Sequence, residues 1–168
     1  MLKNLDTYVK TSGFSFKNAI MVLINLINFM RFEGPGATGG IVEEELFGKS
    51  NFERVNRMEA KDSKYTTFEV SFRALKDLQP FDVTEPGPDF ANTVHYHVFE
   101  GLGIDASKLR FYTAVKSPLD RFHGIDGWFE IGDDRRPDRV TVDITLNTDK
   151  DDGYKADIVF LIPKGGLD

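Results

Sequence analysis

Two aspartates in the C-terminal third of the chain have the placement of a cation site. Asp126 stands at the head of a strand-like run, Gly127–Ile131, and Asp143 lies within the next run, Val140–Leu146. Acidic residues on neighbouring strands gather oxygen ligands, which are the ligands that hard cations such as Mg²⁺ take. A pair of such cations can hold both the attacking and the leaving oxygen of a phosphodiester. The pattern therefore predicts a divalent-cation site suited to phosphodiester chemistry.

Each aspartate also fits a structural role. An Asp-Gly pair such as Asp126-Gly127 is a common turn, and a turn needs no cation. Asp143 shares one face of its strand with Thr141 and Thr145, because successive side chains of a strand alternate between its faces. A wholly polar face of this kind is also typical of a strand surface in contact with water.

The histidines add two further kinds of candidate chemistry. His123 lies shortly before Asp126, and an imidazole titrates near neutral pH, which suits a general base; a structural loop histidine fits the position equally well. His95 and His97, followed by Glu100, share a face only on a strand, where they are similar to the His-x-His metal sites of cupin-type barrels. On a helix their side chains diverge by about 200°. The secondary structure of residues 89–101 therefore decides between the two interpretations.

A helix and four strands must position these residues. Asp89 can cap a helix that runs toward Leu102, beside two glycines that stop it. The connection between the last two strands is short for a crossover helix, which predicts either a helix of one turn or a hairpin. The strands are predicted at Leu109–Val115, at the two runs that carry the aspartates, and at the continuous apolar run Ala156–Ile162.

This order of elements, with Asp126 ahead of one strand and Asp143 inside the next, resembles the α-β-β-β-α-β core of the PD-(D/E)XK nuclease superfamily. The resemblance covers the C-terminal half of the chain, residues 85–168. It implies an α/β (or α+β) fold with a restriction-endonuclease-like central mixed sheet flanked by helices. It also implies a metal-dependent nuclease that hydrolyses phosphodiester bonds in DNA or RNA with Mg²⁺ or Mn²⁺.

Carried over by position, the resemblance makes Asp126 and Asp143 the metal-binding and catalytic acids. It implies that Ile144 lends its backbone carbonyl to the metal and that Glu100 binds a second cation. The lysine of the signature would stand two positions after the second acid, where this chain has Thr145. Lys150, which follows the strand, and Lys116, which precedes Asp126, are the candidates to supply the missing charge.

Upstream of this core the chain has a different character. Glycine- and proline-rich breaks at residues 34–40 and 85–88 predict a mostly helical region at 1–84 and a nuclease-like core at 85–168. Helical patterns occupy residues 42–47 and 52–60. Residues Thr66–Phe72 alternate apolar with polar side chains, which predicts a half-buried strand.

The most apolar stretch of the chain is Phe14–Phe32. It contains Lys17 and three asparagines, which would be costly inside a bilayer. We therefore predict a buried or subunit-interface helix, which would let the protein form a homodimer, and a cytoplasmic protein without a membrane partner.

Composition limits the function classes. The chain contains no cysteine, which excludes disulfides, thiolate metal sites and cysteine nucleophiles. Its net charge of −6 is unlike the basic surface of most nucleic-acid-binding domains. Three hypotheses remain: a metal-dependent nuclease, a non-catalytic binding or assembly protein on the same fold, and a His-x-His metal-binding β-barrel.

Overall fold

The computed structural model describes Ile20, residues 39–145 and residues 156–161. Within these ranges a four-stranded mixed sheet is flanked by helices, which confirms the predicted α/β class. The helices are α1 (Gly39–Phe47), α2 (Phe52–Asn56), α3 (Phe68–Lys76), α4 (Asp89–Leu102) and α5 (Pro118–His123), with short 3₁₀ turns at Ala60–Asp62 and Ala106–Lys108. The strands are β1 (Leu109–Thr113), β2 (Gly127–Ile131), β3 (Asp138–Thr145) and β4 (Ile158–Leu161).

The sheet has the strand order β1-β2-β3-β4. The first three strands form an antiparallel meander, in which Phe129 lies opposite Phe111 on one side and Val140 on the other. Strand β4 runs parallel to β3, with Ile144 opposite Phe160. Because a hairpin joins antiparallel strands only, the hairpin alternative is wrong. The predicted one-turn crossover helix falls on residues 146–155, outside the described residues.

Helices cover both faces of the sheet. Phe111 and Phe129 point to one face and pack against α1 and α4. Tyr112 follows Phe111 and Trp128 precedes Phe129, so both point to the other face, where they pack against α3 and α5. The alternation of side chains along each strand thus produces two cores. Side chains on either face of the central strands are consequently withdrawn from solvent.

Residues 68–76 form helix α3, so the strand predicted at Thr66–Phe72 is wrong. The aromatic rings of Phe68 and Phe72 lie 4.6 Å apart, one helical turn from each other, and Leu75 extends the same buried stripe. Val70, which a strand would have placed beside both phenylalanines, is 54% exposed. The segment is too short for alternation to distinguish the two periods.

Helix α4 spans Asp89–Leu102, as the sequence predicts to within one residue; its N-cap is Pro88, so the prediction that Asp89 caps the helix is wrong. The strand that a His-x-His barrel site requires is therefore absent from residues 89–102. His95 is buried, and its Nε2 lies 2.8 Å from the carbonyl oxygen of Leu109. Burial lowers the pKa of His95, which keeps the imidazole neutral. This histidine anchors α4 to the start of β1.

A buried ion cluster joins α3 to the second face of the sheet. Glu130, on β2, is fully buried. Its carboxylate accepts hydrogen bonds from Lys76 Nζ at 2.6 Å, from Arg139 Nε at 2.9 Å and from Arg139 Nη2 at 2.8 Å. The guanidinium of Arg139 also lies 3.9 Å from the ring centre of Phe72. The buried charge is thereby compensated on both sides.

The predicted apolar helix at residues 16–32 lies outside the described residues, apart from Ile20. Ile20 is helical and fully buried, in the same core cluster as α1 and α4. Among the described residues there is no helix of the length and apolar character needed to cross a membrane.

Candidate metal centre

Three acidic side chains converge at the end of the sheet where β1 ends and β2 begins. Glu43, Asp120 and Asp126 each place a carboxylate oxygen within 4.8 Å of the other two. Glu43 comes from α1, Asp120 from α5, and Asp126 from the residue directly before β2. Segments that are far apart in the sequence thus build one cluster of oxygen ligands.

The main chain holds Asp126 firmly in the sheet. Its N–H donates to the carbonyl of Val142 at 2.9 Å, and its carbonyl accepts from Ala114 N–H at 2.8 Å, so the antiparallel pattern continues past the end of β2. Its side-chain Oδ2 accepts a hydrogen bond of 2.7 Å from the backbone N–H of Ile144. Asp126 is 2% exposed. Its side chain is therefore buried and held by a hydrogen bond from the neighbouring strand, beyond what a turn residue requires.

Helix α5 positions Asp120. Ser117 caps the helix by accepting from Leu119 N–H, Pro118 follows as the first helical residue, and Gly124 ends it in the left-handed conformation. Asp120 Oδ2 in turn accepts from the backbone N–H of Lys116 at 2.8 Å. Burial raises the pKa of Asp120, an effect that the Lys116 N–H opposes.

Helix α1 carries Glu43 to the cluster. Val42, Leu46 and Phe47 of this helix are buried in the core, which fixes its orientation on the sheet. Glu43 is half-buried beside this apolar face. The next residue, Glu44, lies on the same helix with Oε1 3.4 Å from Lys116 Nζ.

The electrostatics of the cluster are those of acids held close together, with Lys116 and Arg121 as the cations that act on Asp120. Burial, together with the charges of Glu43, Asp143 and Asp120, raises the pKa of Asp126 to about 9, and the Ile144 hydrogen bond opposes this rise. Without a bound cation, Asp126 is therefore protonated at neutral pH. A bound cation would reverse this balance by favouring the carboxylate. An all-oxygen set of three carboxylates fits Mg²⁺, Mn²⁺ or Ca²⁺ and not a soft metal.

A cavity of about 420 Å³ opens beside the cluster. Two of the three acids, Glu43 and Asp120, line it, whereas the buried Asp126 does not. Solvent and a small ligand therefore reach the cluster from the Glu43 and Asp120 side. The lining is of mixed charge and consists of Glu43, Glu53, Glu59, Ala60, Lys61, Lys116, Asp120 and Arg121.

Asp143, the second predicted acid, lies near this cluster without being one of its three close members. Its charge is among the causes that raise the pKa of Asp126. Together with Thr141 and Thr145 it is buried, so the interpretation of this strand face as solvated is wrong. On this face Thr141 lies opposite Trp128, and its hydroxyl donates to Asp157 Oδ2 at 2.8 Å. Ile144, predicted to bind metal through its carbonyl, contacts Asp126 through its N–H.

The other predicted site residues are not in this cluster. Glu100 is exposed near the end of α4, which leads into the start of β1, whereas Asp126 lies beside the end of β1. His123 is buried at the end of α5 with its Nε2 2.9 Å from the Thr66 carbonyl oxygen, and its ring contacts those of Tyr65 and Phe68. These contacts give His123 a structural role. Lys150 lies outside the described residues.

Glu43 and Asp120 are the site residues that sequence reasoning missed. Each carried a weak signal. Glu43 opens a run of three glutamates on a helix, where one of them faces inward, and Asp120 follows the Ser117-Pro118 helix start just upstream of Asp126. Neither signal says that the two helices meet at Asp126.

The comparisons with known proteins do not add a relative to this picture. No family model, curated protein or solved structure matches the chain. What the chain does must therefore be inferred from its own residues.

Proposed function

We propose that this protein is a metal-dependent phosphodiesterase acting on nucleic acid, built on a restriction-endonuclease-like core. The observation that carries the proposal is that carboxylate oxygens of Glu43, Asp120 and the buried Asp126 lie within 4.8 Å of one another, at the end of the sheet where β2 begins. A bound cation would offset the mutual repulsion of the three carboxylates and the burial of Asp126, both of which destabilise the charged forms.

The topology supports the same proposal. Helix α4, the antiparallel strands β1 to β3 and the parallel strand β4 stand in the order that the α-β-β-β-α-β core gives to these five elements, and the second helix of that core would fall outside the described residues. Asp126 directly precedes β2, and Asp143 lies within β3, as the resemblance to the PD-(D/E)XK superfamily requires. The second acid and the first lie on the same side of the sheet, with the charge of Asp143 acting on Asp126.

The residues can be given chemical roles. Glu43, Asp120 and Asp126 would hold Mg²⁺ or Mn²⁺, which supplies Lewis acidity toward a phosphate oxygen and the attacking water. A bound cation would favour the carboxylate form of Asp126, because its positive charge opposes the burial and the neighbouring acids that raise the pKa of this group.

Thr145 favours a second candidate, a non-catalytic protein on the same fold. The position that the signature gives to lysine carries no charge here, and Thr145 is buried. In such a protein the acidic cluster would bind a cation for structural purposes, and the cavity would serve binding or assembly.

Mn²⁺ binding and cleavage separate the two candidates. Isothermal titration of Mn²⁺ into the wild type, Asp126→Asn and Glu43→Gln should show binding that both substitutions weaken. Glu45→Gln is the matched control, because Glu45 is an exposed glutamate on the same helix. Cleavage of mixed DNA and RNA substrates should be lost in parallel with binding.

The outcomes are distinct. Binding without cleavage would favour the non-catalytic protein. Absence of Mn²⁺ binding by the wild type, or equal binding by Asp126→Asn, would refute the metal-dependent phosphodiesterase. Asp143→Ala, measured in the same way, tests whether the second predicted acid acts directly on the cation.

A further inference from the structure

We propose that Lys116 is the residue that contacts a phosphate group of the substrate in the cavity beside the acidic cluster. The inference rests on the proposed phosphodiester substrate and names the side chain that would bind its phosphate. Lys116 lines the cavity together with Glu43 and Asp120. A lysine ammonium next to a carboxylate-bound cation would bind a non-bridging phosphate oxygen and stabilise charge that develops on it.

The backbone of Lys116 is built to hold this position. Its φ of 60° is left-handed, a conformation that only one other non-glycine residue, Arg57, adopts in the described ranges. The flanking residues Val115 and Ser117 are fully buried, and the N–H of Lys116 donates to Asp120 Oδ2 at 2.8 Å. The residue that carries the ammonium is thereby tied to one of the cluster's own ligands.

The ammonium has a weak partner that a phosphate can replace. Lys116 Nζ lies 3.4 Å from Glu44 Oε1, and the two side chains are 37% and 40% exposed. Ion pairs this exposed contribute little stability. The ammonium also lies against the α1 backbone, since a Cβ built on Gly40 would come within 3.1 Å of Nζ. The absence of a side chain at Gly40 leaves the space that the ammonium occupies.

The other cations of the cavity are less suitable. Lys61 is 61% exposed and paired with Glu59 at 2.6 Å. Arg121 is exposed on α5. The backbone N–H groups that donate to Asp120 Oδ2 and Asp126 Oδ2 belong to Lys116 and Ile144, not to Lys61 or Arg121. Lys116 is therefore the cation whose position is coupled to the acids.

Binding in the absence of cleavage tests this role. The probes are fluorescein-labelled single-stranded DNA and the RNA of the same sequence. Binding of each probe to the full chain is measured by fluorescence anisotropy in EDTA. Lys116→Met should weaken binding about ten- to a hundred-fold, the effect of losing a charge-assisted hydrogen bond. The slope of log affinity against log salt should fall in magnitude by about 0.7, the value for one phosphate contact on a single strand.

Companion variants distinguish a phosphate contact from a structural effect. Lys116→Gly removes the ammonium and suits the left-handed backbone, so its loss of binding cannot be attributed to unfolding. Lys116→Arg should restore binding in part. Glu44→Gln should tighten binding about two- to five-fold, because it frees the ammonium from its partner. Lys61→Met, at the same cavity, is the control for general loss of positive charge.

The result separates this inference from the proposed function. Lost binding in the Lys116 variants, with wild-type protein that cleaves neither probe in Mn²⁺, would support the phosphate contact and refute the enzyme. If the wild type cleaves the probes, and Lys116→Met and Lys116→Gly cleave and bind them equally well, the role of Lys116 is refuted and the proposed enzyme activity is not. The inference would also be refuted if Glu44→Gln did not bind the probes more tightly than the wild type, or if the wild type bound neither probe.

Discussion

Replacing Asp126 with asparagine should change how the stability of the protein depends on pH. The pKa of Asp126 is raised to about 9, with burial as the first cause and neighbouring acids next. In the unfolded chain the same group has an ordinary pKa, near 3.8. Between these two values the folded protein carries a proton that the unfolded chain lacks. Stability is therefore lost progressively as the pH rises through this window.

The size of the effect follows from the proton count. One proton bound only in the folded state changes the free energy of unfolding by about 1.36 kcal/mol per pH unit. From about pH 5 to about pH 8 the wild type should lose roughly 4 kcal/mol through Asp126. Asparagine is neutral in both states, and its side-chain oxygen can still accept the Ile144 N–H. The stability of Asp126→Asn relative to the wild type should therefore rise with pH.

Urea denaturation in EDTA, repeated across this pH range, measures the difference directly. Asp77→Asn controls for the loss of one negative charge, since Asp77 is an exposed aspartate outside the cluster. Parallel stability profiles for wild type and Asp126→Asn would refute the reasoning, because they would mean that Asp126 is already ionised in the folded protein. A profile for the variant that falls more steeply than that of the wild type would refute it too.

Three other substitutions test the architecture that supports the site. Glu130→Gln should destabilise the protein by about 3 kcal/mol in urea denaturation, since it leaves two cationic side chains without their buried carboxylate; an effect below experimental error would show that the ion cluster contributes nothing. Gly127→Ala should cost about 1–3 kcal/mol, because the added Cβ would come 3.0 Å from the ring of Phe111; a melting temperature equal to the wild type would contradict this close packing. Ser117→Ala should cost about 1 kcal/mol by removing the helix cap, and it should also weaken Mn²⁺ binding through the displaced Asp120, a link that unchanged titration curves would disprove.

Much of the sheet and the helices α1, α2 and α4 could be predicted from local patterns. Helix α4 has an acidic start and glycine stops that fix both ends within the sequence itself. The strands that carry Asp126 and Asp143 alternate or run apolar between turn residues, so their positions were predicted to within a few residues. The error at α3 arose because Phe68, Val70 and Phe72 satisfy alternation while Phe68, Phe72 and Leu75 satisfy a helical period.

The composition of the site could not be predicted in the same way. Periodicity shows that Thr141, Asp143 and Thr145 share a face, but it does not show whether a second layer of helices covers that face. Glu43 reaches Asp126 only because α1 packs on the far side of the sheet and directs one of three adjacent glutamates to its end. That contact depends on tertiary packing between segments that no local motif connects.

The antiparallel meander of β1, β2 and β3 also has a consequence for how the molecule assembles. These strands pair with their neighbours in sequence across short connections, so their contacts close small loops and should form early. Helix α1 must return from a distant part of the chain to pack against α4 and β3. We expect the meander to be the folding nucleus and α1 to dock late. Because α1 carries Glu43, the acidic cluster would be completed only at the last stage of folding, so no partly folded chain would present a finished site.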